Sequence, residues 1–261
     1  MTKRPSEPVY STAVAVGRTL FGGLGLKRIV TGAENIPATG GAVLAITHFG
    51  YMDFALTEWM VWGRNRRRVR FLAKKGAFDK PVVGWLLRGM RHISVDMKAG
   101  AEAFSQATVA LKAGEMLGVF PEAGVNTSFT VRELKTGTIR MAAEAGVPVI
   151  PIAVWGGHRL LTKGRKPSLR EAFRTPISYA IGEAFTVAPD VDARERTLEL
   201  RATMQALLDT AQATYPHDGK GAWWQPAHLG GTAPTPEEAA AAEAERQRRK
   251  AREAEAKAKA K

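Results

Sequence analysis

A histidine and two carboxylates stand where this sequence can do chemistry. The apolar run from Ala42 to Thr47 (Ala-Val-Leu-Ala-Ile-Thr) leads directly into His48-Phe-Gly-Tyr-Met-Asp53. Such a run is the pattern of a strand buried on both faces. In open α/β sheets, functional groups gather at the carboxyl ends of strands of this kind. On an uninterrupted helix His48 and Asp53 would point about 140° apart. They meet only if Gly50 permits a turn and Asp53 falls in the first turn of the next helix. Asp53 would then accept the Nδ1 proton of His48 and leave Nε2 as a general base. A histidine that merely caps the following helix is the alternative use of the same residue. The chain has no Gly-x-Ser-x-Gly elbow and no cysteine, so a substrate hydroxyl is the expected nucleophile.

A second apolar strand, Met116 to Phe120, ends in Pro121-Glu122-Ala123-Gly124 and brings another carboxylate to a strand terminus. Leu134-Lys135-Thr136-Gly137 then opens a helix, whose N-terminus together with Lys135 makes an anion site. The remaining pattern supplies the scaffold. Strands are expected at 27–31, 69–73, 92–95, 147–154 and 177–181, and helices at 52–62, 83–90, 101–113, 136–145 and 193–214. The prolines of Val147-Pro-Val-Ile-Pro-Ile-Ala-Val154 place that strand near an edge or a bulge. Buried strands alternating with helices predict an α/β fold with a mostly parallel β-sheet flanked by helices. One catalytic domain is expected over 27–215.

At this point the sequence resembles the glycerophospholipid acyltransferase family, which contains the 1-acylglycerol-3-phosphate acyltransferases. The resemblance runs from about Leu26 to Phe185 and more loosely to Thr214. It is carried by His48-x-x-x-x-Asp53, Phe71-Leu-Ala-Lys-Lys75, Phe120-Pro-Glu-Ala-Gly124, the Lys135-Thr-Gly137 segment and Val147-Pro-Val-Ile-Pro-Ile152, in that order. It implies acyl transfer from an acyl-thioester, acyl-CoA or an acyl-carrier protein, to a hydroxyl of a lysophospholipid or other glycerolipid. By that analogy His48 is the base, Asp53 orients it, and Glu122 with Gly124 helps hold the acceptor. A thiol leaves readily, so neither a metal nor a cofactor is called for. His92, His158, His217 and His228 show no ligand spacing.

Two departures from the family pattern stand out. Where the second family block usually ends in an arginine, Ile93-Ser-Val-Asp96 is followed by Met97 and Lys98. Where the third usually carries an arginine after its glutamate, the 125–128 segment contains none. Bidentate arginine–phosphate contacts are not replaced one-for-one by lysine. Lys98, Arg132 and Lys135 are the candidate substitutes, and Lys74 and Lys75 the candidate donor contacts.

The 261 residues carry 38 Lys+Arg against 25 Asp+Glu, a formal net charge of +13, and are 45% hydrophobic. Global disorder is excluded, and an anionic partner is expected. The tail, residues 237–261, contributes only +2, so the folded body holds the surplus. Its densest block is Arg64, Arg66, Arg67, Arg68, Arg70, Lys74 and Lys75, which suits a coenzyme A phosphate, an acidic carrier protein or a solvated basic face. Residues 8–26 are apolar or small apart from Arg18, with four glycines, and are expected as an interfacial helix or one packed on the domain. Gly/Pro-rich residues 216–236 read as a linker, and the tail as a solvated helix with a basic second half suited to an anionic membrane. Trp223-Trp224 would sit either at a bilayer interface or against the domain. The location expected is peripheral, at the cytoplasmic face of a membrane. A non-catalytic basic protein binding anionic lipid or nucleic acid is the rival reading. Arg64–Lys75 offers only Phe71 as a stacking platform, which disfavours nucleic acid.

Overall fold

The three continuous apolar runs lie side by side at the centre of one sheet. The computed structural model describes residues 7–96 and 100–259. Helix α1 (Pro8–Gly23) precedes β1 (Lys27–Thr31), β2 (Ala42–Ile46), α2 (Asp53–Asn65), β3 (Val69–Lys74), the short α3 (Lys75–Phe78), α4 (Pro81–Gly89) and β4 (Ile93–Val95). Then follow α5 (Gly100–Lys112), β5 (Met116–Val119), α6 (Gly137–Ala145), β6 (Val149–Trp155), the short α7 (Leu169–Ala172), β7 (Pro176–Ile181), α8 (Ala193–Ala213) and α9 (Pro236–Lys259). The strand order is β1-β7-β6-β2-β5-β3-β4, parallel at every pairing except β6 with β7. The parallel strands β6, β2, β5, β3 and β4 therefore deliver their carboxyl ends to one edge.

Side-chain alternation divides the core into two layers. Val43 and Ala45 of β2 join Leu117, Val149 and Ala153 under α5, α6 and α8. Ala42, Leu44 and Ile46 point the other way, to Leu56 and Met60 of α2 and Phe21 of α1. With both faces covered, all five residues of β2 are buried. Of the two prolines, Pro148 precedes β6 and Pro151 follows the bulge reading, since β6 lies inside the sheet. Pro151 stands where the antiparallel ladder is interrupted, between the Ile152–Ile181 pair and the isolated Val149–Phe185 bridge. Its carbonyl still accepts from the Gly182 N–H, so only the missing proline donor is accommodated there.

Helix α1 packs on α2 and α4 through Tyr10, Val14 and Phe21, and leaves Val16 and Leu20 exposed. No helix among the described residues is long and apolar enough to cross a membrane. The segment expected as a linker is packed on the body. Trp224 and Ala233 are buried in the α8-side core, and Trp223 is half-buried beside Phe129 and His158. The Gly/Pro chemistry there makes turns that seat two tryptophans, which removes them from a bilayer interface.

The basic block is also corrected. Arg67 is 1% exposed and donates to the carbonyls of Pro37, Gly40 and Gly114. Arg70 is buried, with Nη1 and Nη2 each 2.7 Å from a different oxygen of Glu7, and Arg68 and Arg91 join the same carboxylate. Burial pushes the Glu7 carboxyl up, and the bonds and charge of Arg70 more than offset this, so its pKa lies below the usual range. Arg67, Arg68 and Arg70 thus tie α1 and the loops to the start of β3, at the end of that strand away from the site, while Arg64 and Arg66 are exposed. Only Lys74 and Lys75 reach the carboxyl edge. Arg70→Met should destabilise the protein by about 3–5 kcal/mol, because it removes both short bonds from a buried carboxylate and leaves it only the longer contacts of Arg68 and Arg91. Urea denaturation checks this, and a loss below about 1 kcal/mol would assign the cluster to solvated charge.

Candidate active site

The chain leaves β2 at Ile46 and turns through residues 47–52 before α2 begins at Asp53. Asp53 occupies the first turn of α2, where a carboxylate is favoured by the helix dipole. Its Oδ2 accepts from the Phe49 and Gly50 N–H groups, both at 2.8 Å, and lies 3.1 Å from His48 Nδ1. Asp53 is 1% exposed, so these donors replace water around its charge. Fixing the Nδ1 proton toward Asp53 leaves Nε2 as the nitrogen that can accept from a substrate. The expected pairing is therefore present. The chain turns at Gly50 as expected, and glycine is needed there for space. A Cβ there would stand 2.9 Å from His158 Cα, so the site requires glycine for close packing on the loop after β6. Gly157 does the same from the other side, where a Cβ would meet Asp53 Oδ1 at 2.8 Å.

Glu122 sits at the end of β5 and is 3% exposed. Its Oε1 accepts from the His48 backbone N–H at 3.1 Å, and Oε2 accepts from Asn126 Nδ2 at 3.0 Å. Arg132 Nε lies 3.7 Å from Oε2. The carboxylate is thus directed at the loop that carries His48; the geometry makes it a brace for His48. Desolvation raises its pKa to about 7, against the pull of those hydrogen bonds and of Arg132. Ala123 adopts a left-handed φ of 58°, a conformation that costs a non-glycine residue about 1–2 kcal/mol and is concentrated at functional sites. Gly124 follows, its carbonyl and that of Glu122 held by Arg132 Nη2 at 2.7 and 2.6 Å.

Three contributors escaped sequence reasoning. The Phe120 ring stacks on His48, with centroids 4.0 Å apart and planes 21° from parallel. Asn126 braces Glu122 and donates its own N–H to the His48 carbonyl at 2.8 Å. Thr162, in the loop after β6, donates to the Phe49 carbonyl at 2.6 Å. Phe120 belongs to a block already singled out, so its position was readable though its contact was not. Nothing local in Asn126 or Thr162 marks them, because the contacts join segments distant in the chain.

Of the basic residues, Lys135 is exposed and follows the Glu122 loop, its N–H bonded to the Pro121 carbonyl. Lys74 ends β3 and Lys75 begins α3, where it pairs with Asp96 at 3.2 Å. Lys98 and Met97 lie outside the described residues. His158 is fully packed, its Nε2 3.0 Å from the Trp224 carbonyl. Burial lowers its pKa to about 3. His92 is likewise buried, its Nδ1 accepting from the Phe71 N–H, so both serve the scaffold.

Comparison with known proteins agrees with this geometry. Residues 27–155 match the model of the Acyltransferase family. The chain is 33% identical over 136 residues to the 1-acyl-sn-glycerol-3-phosphate acyltransferase of Bacillus subtilis, covering 51% of this chain and 66% of that protein. It is 28% identical over 142 residues to the enzyme of the same name from Borreliella burgdorferi, covering 53% and 55%. These matches span less than two thirds of either relative. The fold is similar to the crystal structure of the 1-acyl-sn-glycerophosphate acyltransferase PlsC from Thermotoga maritima, with a TM-score of 0.64 and 24% identity over 80% of this chain and 81% of that one. Residues 27–155, which hold His48, Asp53 and Glu122, belong to the acyltransferase family.

Proposed function

We propose that this protein transfers a fatty acyl group from a thioester donor, acyl-CoA or acyl-carrier protein, to a glycerolipid hydroxyl, with 1-acylglycerol-3-phosphate as the acceptor. The observation that carries this reading is the Asp53–His48 Nδ1 bond at the carboxyl end of β2. It supplies a base in a chain with no cysteine and no Gly-x-Ser-x-Gly elbow, as suits attack by a substrate hydroxyl.

In the proposed reaction, the acceptor hydroxyl gives its proton to His48 Nε2 as its oxygen bonds to the thioester carbonyl carbon. Asp53 stabilises the imidazolium that forms. The tetrahedral intermediate collapses, the carbon–sulfur bond breaks, and the thiol leaves with the proton from Nε2. An ester and a free thiol result, and His48 returns to its starting state. The ring stack with Phe120 and the Glu122 bond to the His48 amide hold the imidazole in register throughout.

We place the enzyme at a membrane surface, bound peripherally on the cytoplasmic side. Exposed Leu20 on α1 and exposed Val82 and Trp85 on α4, two helices packed on each other, support this. Thiol release from acyl-CoA, and in parallel from acyl-carrier protein, tests the reaction with lysophosphatidate as acceptor. His48→Ala should lower the rate about 10²- to 10⁴-fold, the usual range for a general base. Equal rates for wild type and variant would refute the mechanism.

Asp53→Asn should lower kcat by a comparable factor with acceptor KM little changed, since it alters the proton arrangement and spares the binding surface. A change confined to KM would contradict its role.

Glu122 gives a pH signature. Its folded pKa, about 7, lies above the 4.5 of a free carboxyl, so the neutral form favours the fold. The stability of wild type relative to Glu122→Gln should be greatest below about pH 4.5. It should fall as pH rises toward 7 and level off above. Thermal unfolding from pH 4 to 8 measures this, and a difference independent of pH would overturn it.

A further inference from the structure

Beside the catalytic loop is a cleft of about 530 Å³ that the acyl-transfer chemistry above does not use. Its volume is in the range of small-molecule sites, ~300–1,000 Å³. One wall is the loop after β5, another the loop after β6, and the third comes from Trp223 and the start of α9. The family match ends at residue 155, so two of these walls are built by chain beyond it. Both inner walls are hydrogen-bonded to the catalytic loop. Asn126 N–H donates to the His48 carbonyl at 2.8 Å, and Tyr51 N–H donates to the Leu161 carbonyl at 2.9 Å. Whatever occupies the cleft therefore lies next to the reacting centre.

Its lining is cationic. Arg132, Lys163, Arg165 and Arg246 face Glu243 as the only carboxylate in the lining among the described residues, a surplus of three positive charges. Glu243 is shared by Lys163 and Arg246, so one carboxylate serves two cations. Arg165 lies over the Trp223 ring at 4.0 Å. That contact positions the guanidinium through its π face, and a guanidinium's N–H donors can be shared with a bidentate oxyanion. The cleft begins in the 125–128 segment, where the family's usual arginine is missing. A phosphomonoester carries about −1.5 to −2 at neutral pH, with oxygens placed to accept paired N–H donors.

We propose that this cleft binds the phosphate of a substrate, with Arg165 and Arg246 supplied by chain outside the family domain in place of the missing arginine. The proposal rests on the acyltransferase reading and names where that site grips an anion. Two sources share the chemistry: the phosphate of a lysophospholipid acceptor and the phosphates of a coenzyme A donor. Lys74 ends β3 and Lys75 follows it, on the far side of β5 from the β6 loop, so the reacting centre lies between two cationic flanks.

The test uses the full chain, wild type against Arg165→Gln, Arg246→Gln and the double variant. Both residues lie at the surface of the cleft, and thermal unfolding verifies that the variants remain folded. KM is measured for lysophosphatidate and for acyl-CoA. The double variant should raise one of the two by about tenfold or more with kcat changed less than threefold. A rise for lysophosphatidate assigns the cleft to the acceptor, and a rise for acyl-CoA assigns it to the donor. Both KM values unchanged in an active enzyme would overturn the cleft while leaving the acyltransferase reading intact. Should wild type release thiol from neither acyl-CoA nor acyl-carrier protein with lysophosphatidate as acceptor, the acyltransferase reading fails. Calorimetric titration with glycerol 3-phosphate and with coenzyme A then decides the cleft alone. Binding to wild type that weakens about tenfold or more in the double variant supports it; equal affinities, or no binding of either probe, overturn it.

Discussion

One buried carboxylate oxygen organises this site. Asp53 Oδ2 is approached by the Phe49 amide, the Gly50 amide and His48 Nδ1. A charge this buried is tolerated only when donors replace its water, and each donor here belongs to the loop that Asp53 must shape. The same oxygen thus sets the turn, begins the helix and selects the histidine nitrogen that faces outward. Two glycines are required around it, because the backbone of residues 157–158 packs too close to tolerate a Cβ. Glu122 then grips the turn from the β5 side through the His48 amide, and Thr162 from the β6 side through the Phe49 carbonyl.

The charge distribution divides by function. Arg67 and Arg70 are buried and serve the fold, their donors spent on loop carbonyls and on Glu7 and Glu115. The cations of the catalytic edge lie elsewhere: Lys74 and Lys75 after β3, Lys135 beside the Glu122 loop, and Arg132 with Lys163, Arg165 and Arg246 in the cleft. A net charge read along the sequence cannot separate these classes, since burial depends on which loops return to cover each guanidinium. This is why the Arg64–Arg70 block read as a binding surface or a solvated face, and why Arg67 and Arg70 fold as a structural clamp while Arg64 and Arg66 stay exposed.

Local patterns were legible and long-range closure was not. The buried runs at 42–47, 116–120 and 147–154 announced the three central strands, because strands covered on both faces leave no polar alternation. The His48–Asp53 pairing was legible too, since five residues of separation across a glycine leave few ways for the two to meet. Asn126 and Thr162 were hidden, as each contacts the catalytic loop from a distant segment. Residues 216–236 were misread for a related reason. Gly and Pro mark turns, but whether a turn-rich segment runs free depends on what its tryptophans find, and here they find Phe129, His158 and Tyr215.

The arrangement makes one statement about a proton. With Asp53 holding Nδ1, the neutral His48 ring must carry its hydrogen there and leave Nε2 bare for the acceptor hydroxyl. Nitrogen-15 NMR of the histidine side chains, with His48 assigned by its loss in His48→Ala, reads this directly. A protonated Nδ1 with an unprotonated Nε2 in the neutral ring is the predicted result. A hydrogen on Nε2 in the neutral ring would contradict the account, because no base would then face the substrate.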